Sequence, residues 1–135
     1  MPNWCENRLE IFGDDNSIKK FKDNVKCDDR ETRLSLEKIK PLDKDSSIGD
    51  TYDQWGTKWD VQATLSEESN QWLVYEFNSA WAPPKEALID GSKKYPRLSF
   101  ALHYDEPGMC FKGVFLVRNG DIVKDWYVEY DFPSE

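Results

Sequence analysis

Apolar and polar residues alternate along much of this chain, and helical spacing interrupts the alternation twice. That order of periods restricts the fold more than any other feature. From Asn3 to Phe12, Cys5, Asn7, Leu9 and Ile11 point one way and Glu6, Arg8 and Glu10 the other, the pattern of a half-buried strand. Gly13 to Ser17 is a turn with several N-cap candidates, and Ile18, Phe21 and Val25 then recur at helical spacing in a stripe narrow enough to lie on one face of a sheet. Thr57 to Leu65 alternates again, with Trp59, Val61, Ala63 and Leu65 on the core side. After a turn, Gln71 to Asn78 returns as its hairpin partner. Pro83-Pro84 suits a first helical turn, and Ala87, Leu88 and Tyr95 continue a second helix that ends before Pro96, in which Gly91 marks close packing. Leu98, Phe100, Leu102 and Tyr104 form a fourth strand, and Glu106 to Met109 reads as a type II turn. Two further strands, Cys110 to Arg118 and Asp121 to Tyr130, meet at Asn119-Gly120, with Ile122, Trp126, Val128 and Tyr130 expected on one side.

This order, β-α-insertion-β-β-α-β and then a hairpin, predicts an α+β fold: a ferredoxin-like antiparallel sheet with two helices on one face. We expect one domain over residues 1–135, with an inserted loop or arm at 28–56 and the added hairpin at 109–130. Within the insertion, Leu34, Leu36 and Ile39 suit a short strand or an extended arm, and Pro41 to Asp53 is polar. Asp43, Asp45 and Ser47 mimic the start of a calcium loop, but Ile48 and Gln54 stand where that loop needs Gly and Glu. The last residues, from Asp131, read as a solvated tail.

Eighteen Lys and Arg against 26 Asp and Glu give a formal charge of -8. Such a field repels phosphate backbones and anionic membranes and favours a partner with a basic surface. Three cysteines without ligand spacing, and an opening Met1-Pro2-Asn3-Trp4-Cys5 without an apolar leader, point to a reducing cytoplasm. No apolar run approaches the roughly 20 residues of a spanning helix.

Catalysis needs a positioned base, nucleophile or metal, and the lone histidine, His103, sits mid-strand. Neither a zinc site nor a four-thiolate iron-sulfur cluster can be assembled from these residues. The expectation is therefore no enzyme, no metal and no cofactor. Asn7 interrupts an apolar face, and a buried amide must find partners or cost about 1 to 3 kcal/mol. It reads as structural, with a binding role kept open. The stretch Trp55-Gly56-Thr57-Lys58-Trp59-Asp60 concentrates indoles and charge, with Trp59 expected in the core. Trp55 and Trp81, with Lys58 and Asp60, either plug the insertion against the sheet or form a surface that stacks a planar base or clamps a partner.

The opening Met1 to Asn7, Ile39-Lys40-Pro41-Leu42, Trp55 to Asp60, Ala80-Trp81-Ala82-Pro83-Pro84 and the Tyr104 to Gly113 strand-turn-strand together resemble the YubB-type ferredoxin-like family of phage and plasmid proteins. The resemblance implies the same fold and a mobile-element origin, with no activity attached. The functional expectation is a non-enzymatic, acidic binding protein that engages a host protein through Asp28, Asp29, Glu31, Asp43, Asp45, Asp50 and Asp53. The alternative is a small-ligand binder that sequesters a nucleotide with Trp55, Trp81, Lys58 and Arg8. The sequence leaves the oligomeric state open.

Overall fold

The structure, a computed structural model, describes residues 3–27, 31–42 and 48–131, with residues 48–50 described by their backbone alone. Strand β1 (Trp4–Phe12) lies in the middle of a six-stranded antiparallel sheet and buries Cys5, Asn7, Leu9 and Ile11, one complete face of its alternation. Helix α1 (Asp15–Val25) follows. The Asp14 carboxylate accepts from the Ser17 amide at 3.1 Å, which satisfies one orphan donor of the first turn, and the Ser17 side chain together with this amide lowers the Asp14 pKa. Ile18, Phe21 and Val25 face the sheet, where the Phe21 ring meets Tyr75, Tyr95 and Phe100 edge-on at 5.1 to 6.2 Å.

Two helices occupy the segment expected to be a loop or arm. Leu34, Leu36 and Ile39 are fully buried, and Leu36–Ile39 is a single helical turn, α2, rather than a strand. Helix α3 covers Ile48–Trp55. The turn of α2 forms because a distant carboxylate caps it. Ser35, at the N-cap position, makes no side-chain cap bond, whereas Asp60 accepts from the Leu36 amide at 2.7 Å, the Glu37 amide at 3.3 Å and the Ser35 hydroxyl at 2.6 Å.

Strand β2 is short, Thr64–Glu68, and starts later than the alternation from Thr57 suggests. Upstream of it, the Thr57 hydroxyl donates to Ala80 O at 2.7 Å and Asp60 binds its neighbour's amide, so the chain leaves sheet geometry. Val61 and Ala63 are buried as expected, but Trp59 is 42% exposed and is not a core residue. Strand β3 (Trp72–Ala80) pairs with β2 and β1. Helix α4 (Lys85–Lys94) then packs so close to α2 that a Cβ on Gly91 would lie 2.8 Å from Ile39 Cγ2.

Strands β4 (Ser99–Glu106), β5 (Phe111–Arg118) and β6 (Asp121–Glu129) complete the sheet in the order β2-β3-β1-β4-β5-β6. The first four strands have the ferredoxin-like order, and β5-β6 is the added hairpin. Its turn has Asn119 at φ 49° and Gly120 at φ 80°, the double left-handed conformation that Asn-Gly favours. The β4-β5 turn is not type II, because its left-handed residue is Cys110 (φ 57°) and not Gly108. A register shift between Leu116 and Val117 also breaks the phase of β6. Ile122 pairs with core-facing Val117, whereas Trp126 and Val128 pair with Val114 and Lys112 on the opposite face, so the four residues expected on one side are divided.

Candidate functional site

In an antiparallel pair, directly opposed residues share a face. The helices cover the face bearing Leu9, Tyr75, Leu102 and Phe115; the other face carries Glu6, Arg8, Glu76, Asn78, His103, Asp105, Lys112 and Trp126. These residues, with Gln62 and Val114, line a concavity of 720 Å³ across the middle of the sheet. A second hollow of 410 Å³, walled by Trp4, Asp60, Gln62 and Asn78, continues it toward the start of β1. There the exposed rings of Trp4 and Trp59 lie 6.2 Å apart, with the Lys58 ammonium 4.8 Å from the Trp59 ring centre.

Arg8 is surrounded by acid. Its guanidinium lies 3.2 Å from Glu10, 3.4 Å from Glu67 and 4.0 Å from Glu76. Glu10 also lies 3.7 Å from His103 Nε2. Asp105 accepts the Tyr130 hydroxyl at 2.6 Å, and this bond, with some desolvation, pushes the tyrosine pKa up to about 12. The site is a polar, acid-rich floor with tryptophans at its margins. No group of three or more His, Cys, Asp or Glu able to hold a metal is found among the described residues.

The residues singled out in the sequence do not gather at one place. Trp55 is 4% exposed, and its indole N–H donates to Lys40 O at 2.8 Å, so the ring plugs the inserted segment onto the core and is not free to stack a ligand. Trp81 is 37% exposed in a left-handed conformation (φ 73°), with its amide bound to Asn3 O at 2.8 Å. Asn7 lies on the helix-covered face at 5% exposure. Its amide group donates to Cys5 O at 3.0 Å and Ser79 Oγ at 2.9 Å and stitches β1 to β3.

Asp60 lines the open-face hollow, although its carboxylate is occupied in capping α2, and Lys58 lies over the Trp59 ring. Asp60→Ala deletes its four hydrogen bonds and is expected to lower stability by about 2 to 3 kcal/mol, read as a fall in the urea midpoint, with Asn restoring part of it. Of the acidic candidates, Glu31 is exposed, and Asp53 is exposed on α3. Asp28, Asp29, Asp43 and Asp45 lie outside the described residues, as does the side chain of Asp50.

A family model described as the ferredoxin-like domain in Api92-like protein matches residues 54–135. The chain belongs to this family. The matched segment contributes β2 to β6 and α4, and hence most of the open face. The crystal structure of the protein api92 from Yersinia pseudotuberculosis is similar over 100% of both chains, with a TM-score of 0.65 and 14% sequence identity, a likeness of fold. No curated protein matches the chain. Neither the family's description nor the name of the Yersinia protein states an activity. Among the described residues, no helix is long and apolar enough to cross a membrane.

Read one strand at a time, the sequence does not single out Trp4, Glu6, Glu76 and Trp126 as site residues. The signal is present in the alternation of β1. If both helices of the repeat lie on one side of the sheet, the polar face of every strand must fall on the other.

Proposed function

We propose that this chain is a non-enzymatic binding protein of YubB type, carried by a phage or plasmid, that acts in the host cytoplasm. On this reading it engages a basic segment of a host protein across its open sheet face. The observation that carries the reading is the acid-rich floor between exposed tryptophans. Glu6 has no counterion among the described residues, and Arg8 is outnumbered by the three carboxylates around it. A net charge of -8 steers a cationic partner toward such a surface, and Trp4 and Trp59 offer the rigid aromatic area that dominates binding energy at interfaces. A phosphate-bearing partner is disfavoured by the same field.

The test is capture from host lysate with the wild type, with the Glu6→Lys/Glu76→Lys double variant, and with Asp23→Lys, exposed on α1, as a charge control away from the open face. A protein retained by the wild type and by Asp23→Lys, released by salt and absent from the double variant is the expected result. Equal retention by all three would remove the open face from the account.

A further inference from the structure

The two edges of the sheet differ in a way that points to a second copy of this chain. Edge strand β2 is blunted by the usual devices: it has five residues, a bulge between Leu65 and Glu67, and two exposed glutamates held by Arg8 and Lys22. Edge strand β6 has nine residues; its one bulge lies near its start, where Leu116 pairs with Lys124 and Val117 with Ile122, and Lys124 to Glu129 pair regularly. Along it Ile122 is 52% exposed, Val123 69%, Trp126 46% and Tyr127 51%, and nothing among the described residues pairs with its outer side. A long edge bearing exposed apolar side chains presents a row of unpaired backbone groups ready to extend a sheet.

We propose that β6 pairs antiparallel with β6 of a second copy, joining two six-stranded sheets about a two-fold axis through Trp126. Charge and facing select this occupant and this register. Pairing identical antiparallel strands about such an axis keeps each side chain on its own face, so the axis must pass through a residue. Centred on Lys124, two ammonium groups oppose each other; centred on Asp125, two carboxylates do. Centred on Tyr127, Asp125 faces Glu129, and centred on Val128, the apolar start of the strand stays uncovered. Centred on Trp126, the two indoles meet on the open face, Asp125 faces Tyr127 and Lys124 faces Val128, with no like charges opposed over the regular stretch 124–128. Trp126 also lines the open-face concavity, so the axis places the concavities of the two copies side by side on one continuous sheet. This pairing does not depend on what the open face binds.

Sedimentation of the purified chain tests it. We expect a reversible dimer of the 15.8 kDa chain. Trp126→Lys, checked by circular dichroism to be folded, should raise the dissociation constant at least about 30-fold, as expected for an aromatic at the centre of an interface. The register is tested by oxidation of Trp126→Cys and, separately, Lys124→Cys, with Cys27 and Cys110 replaced by Ser. Cys5 is buried and its thiol, pushed by burial up to about 12, stays protonated. Opposed residues at 126 fall within disulfide reach, whereas the two copies of residue 124 lie roughly 14 Å apart in this register, so only the first variant should cross-link. A wild type that stays monomeric at every concentration overturns the proposal, as does a dimer that tolerates Trp126→Lys or cross-links through residue 124.

Discussion

Replacing Trp55 by Ala should cost about 3 to 5 kcal/mol of stability, the range for removing a buried aromatic. The ring sits in the main core at the C-terminal end of α3, and its N–H holds Lys40 O just beyond α2. Around it, Lys40 pairs with Asp90 and Lys94 donates to Ile39 O, so the same short segment is fastened to α4. Losing the indole opens a cavity and frees a backbone carbonyl together. Trp55→Phe, which keeps most of the packing and loses only the hydrogen bond, should cost about 1 to 2 kcal/mol. Urea denaturation followed by circular dichroism separates the two variants. A Trp55→Ala protein as stable as the wild type would mean that the inserted segment is not part of the cooperative core.

Gly113→Ala should be nearly as damaging, at about 3 kcal/mol, although it adds only a methyl group. A Cβ at this position would lie 2.2 Å from Trp126 O, 2.3 Å from the Tyr104 hydroxyl and 2.6 Å from Tyr104 Cζ. The tyrosine tip can be shortened, but the Trp126 carbonyl is backbone of β6 and moves only by loosening the β5-β6 ladder. In the Gly113→Ala/Tyr104→Phe double variant the recovery should therefore be partial. Amide exchange should rise along β6 in both variants while β1 and β3 stay protected. Full rescue by Tyr104→Phe would mean that the backbone contact carries none of the cost.

Most of the sheet is legible in the sequence because its determinants are local. The alternation of Cys5 to Ile11, the Asp14 cap with Ile18, Phe21 and Val25, the paired prolines before α4 and the Asn119-Gly120 turn each act within a few residues. The segment from 31 to 63 is harder because its determinants are distant. Four residues cannot sustain a helical turn alone, and α2 exists because Asp60, more than 20 positions away, caps it. Trp59 keeps the phase of Val61 and Ala63, but the Thr57 and Asp60 hydrogen bonds pull the chain out of the sheet before it. In β6, one bulge puts Ile122 and Trp126 on opposite faces, and no local residue announces it.

The site follows the same rule. Tryptophans draw attention to residues 55 and 81, whose surroundings are set by tertiary packing: one closes the core and the other sits in a left-handed turn. The open face is made of residues that look ordinary one strand at a time. Glu6, Glu76 and Asp105 become one surface only when β3, β1 and β4 lie side by side.

The most direct test of that surface uses the six tryptophans as reporters, since their indole N–H resonances can be assigned one by one in the isotope-labelled chain. The chain is titrated with the purified host protein retained in the capture experiment and, separately, with a nucleotide panel. The protein partner is expected to shift Trp4 and Trp59, to leave Trp55 and Trp81 in place, and to lose its effect as salt rises. A partner that leaves Trp4 and Trp59 unmoved, or a nucleotide that shifts Trp55 and Trp81 at micromolar concentration, would contradict this expectation.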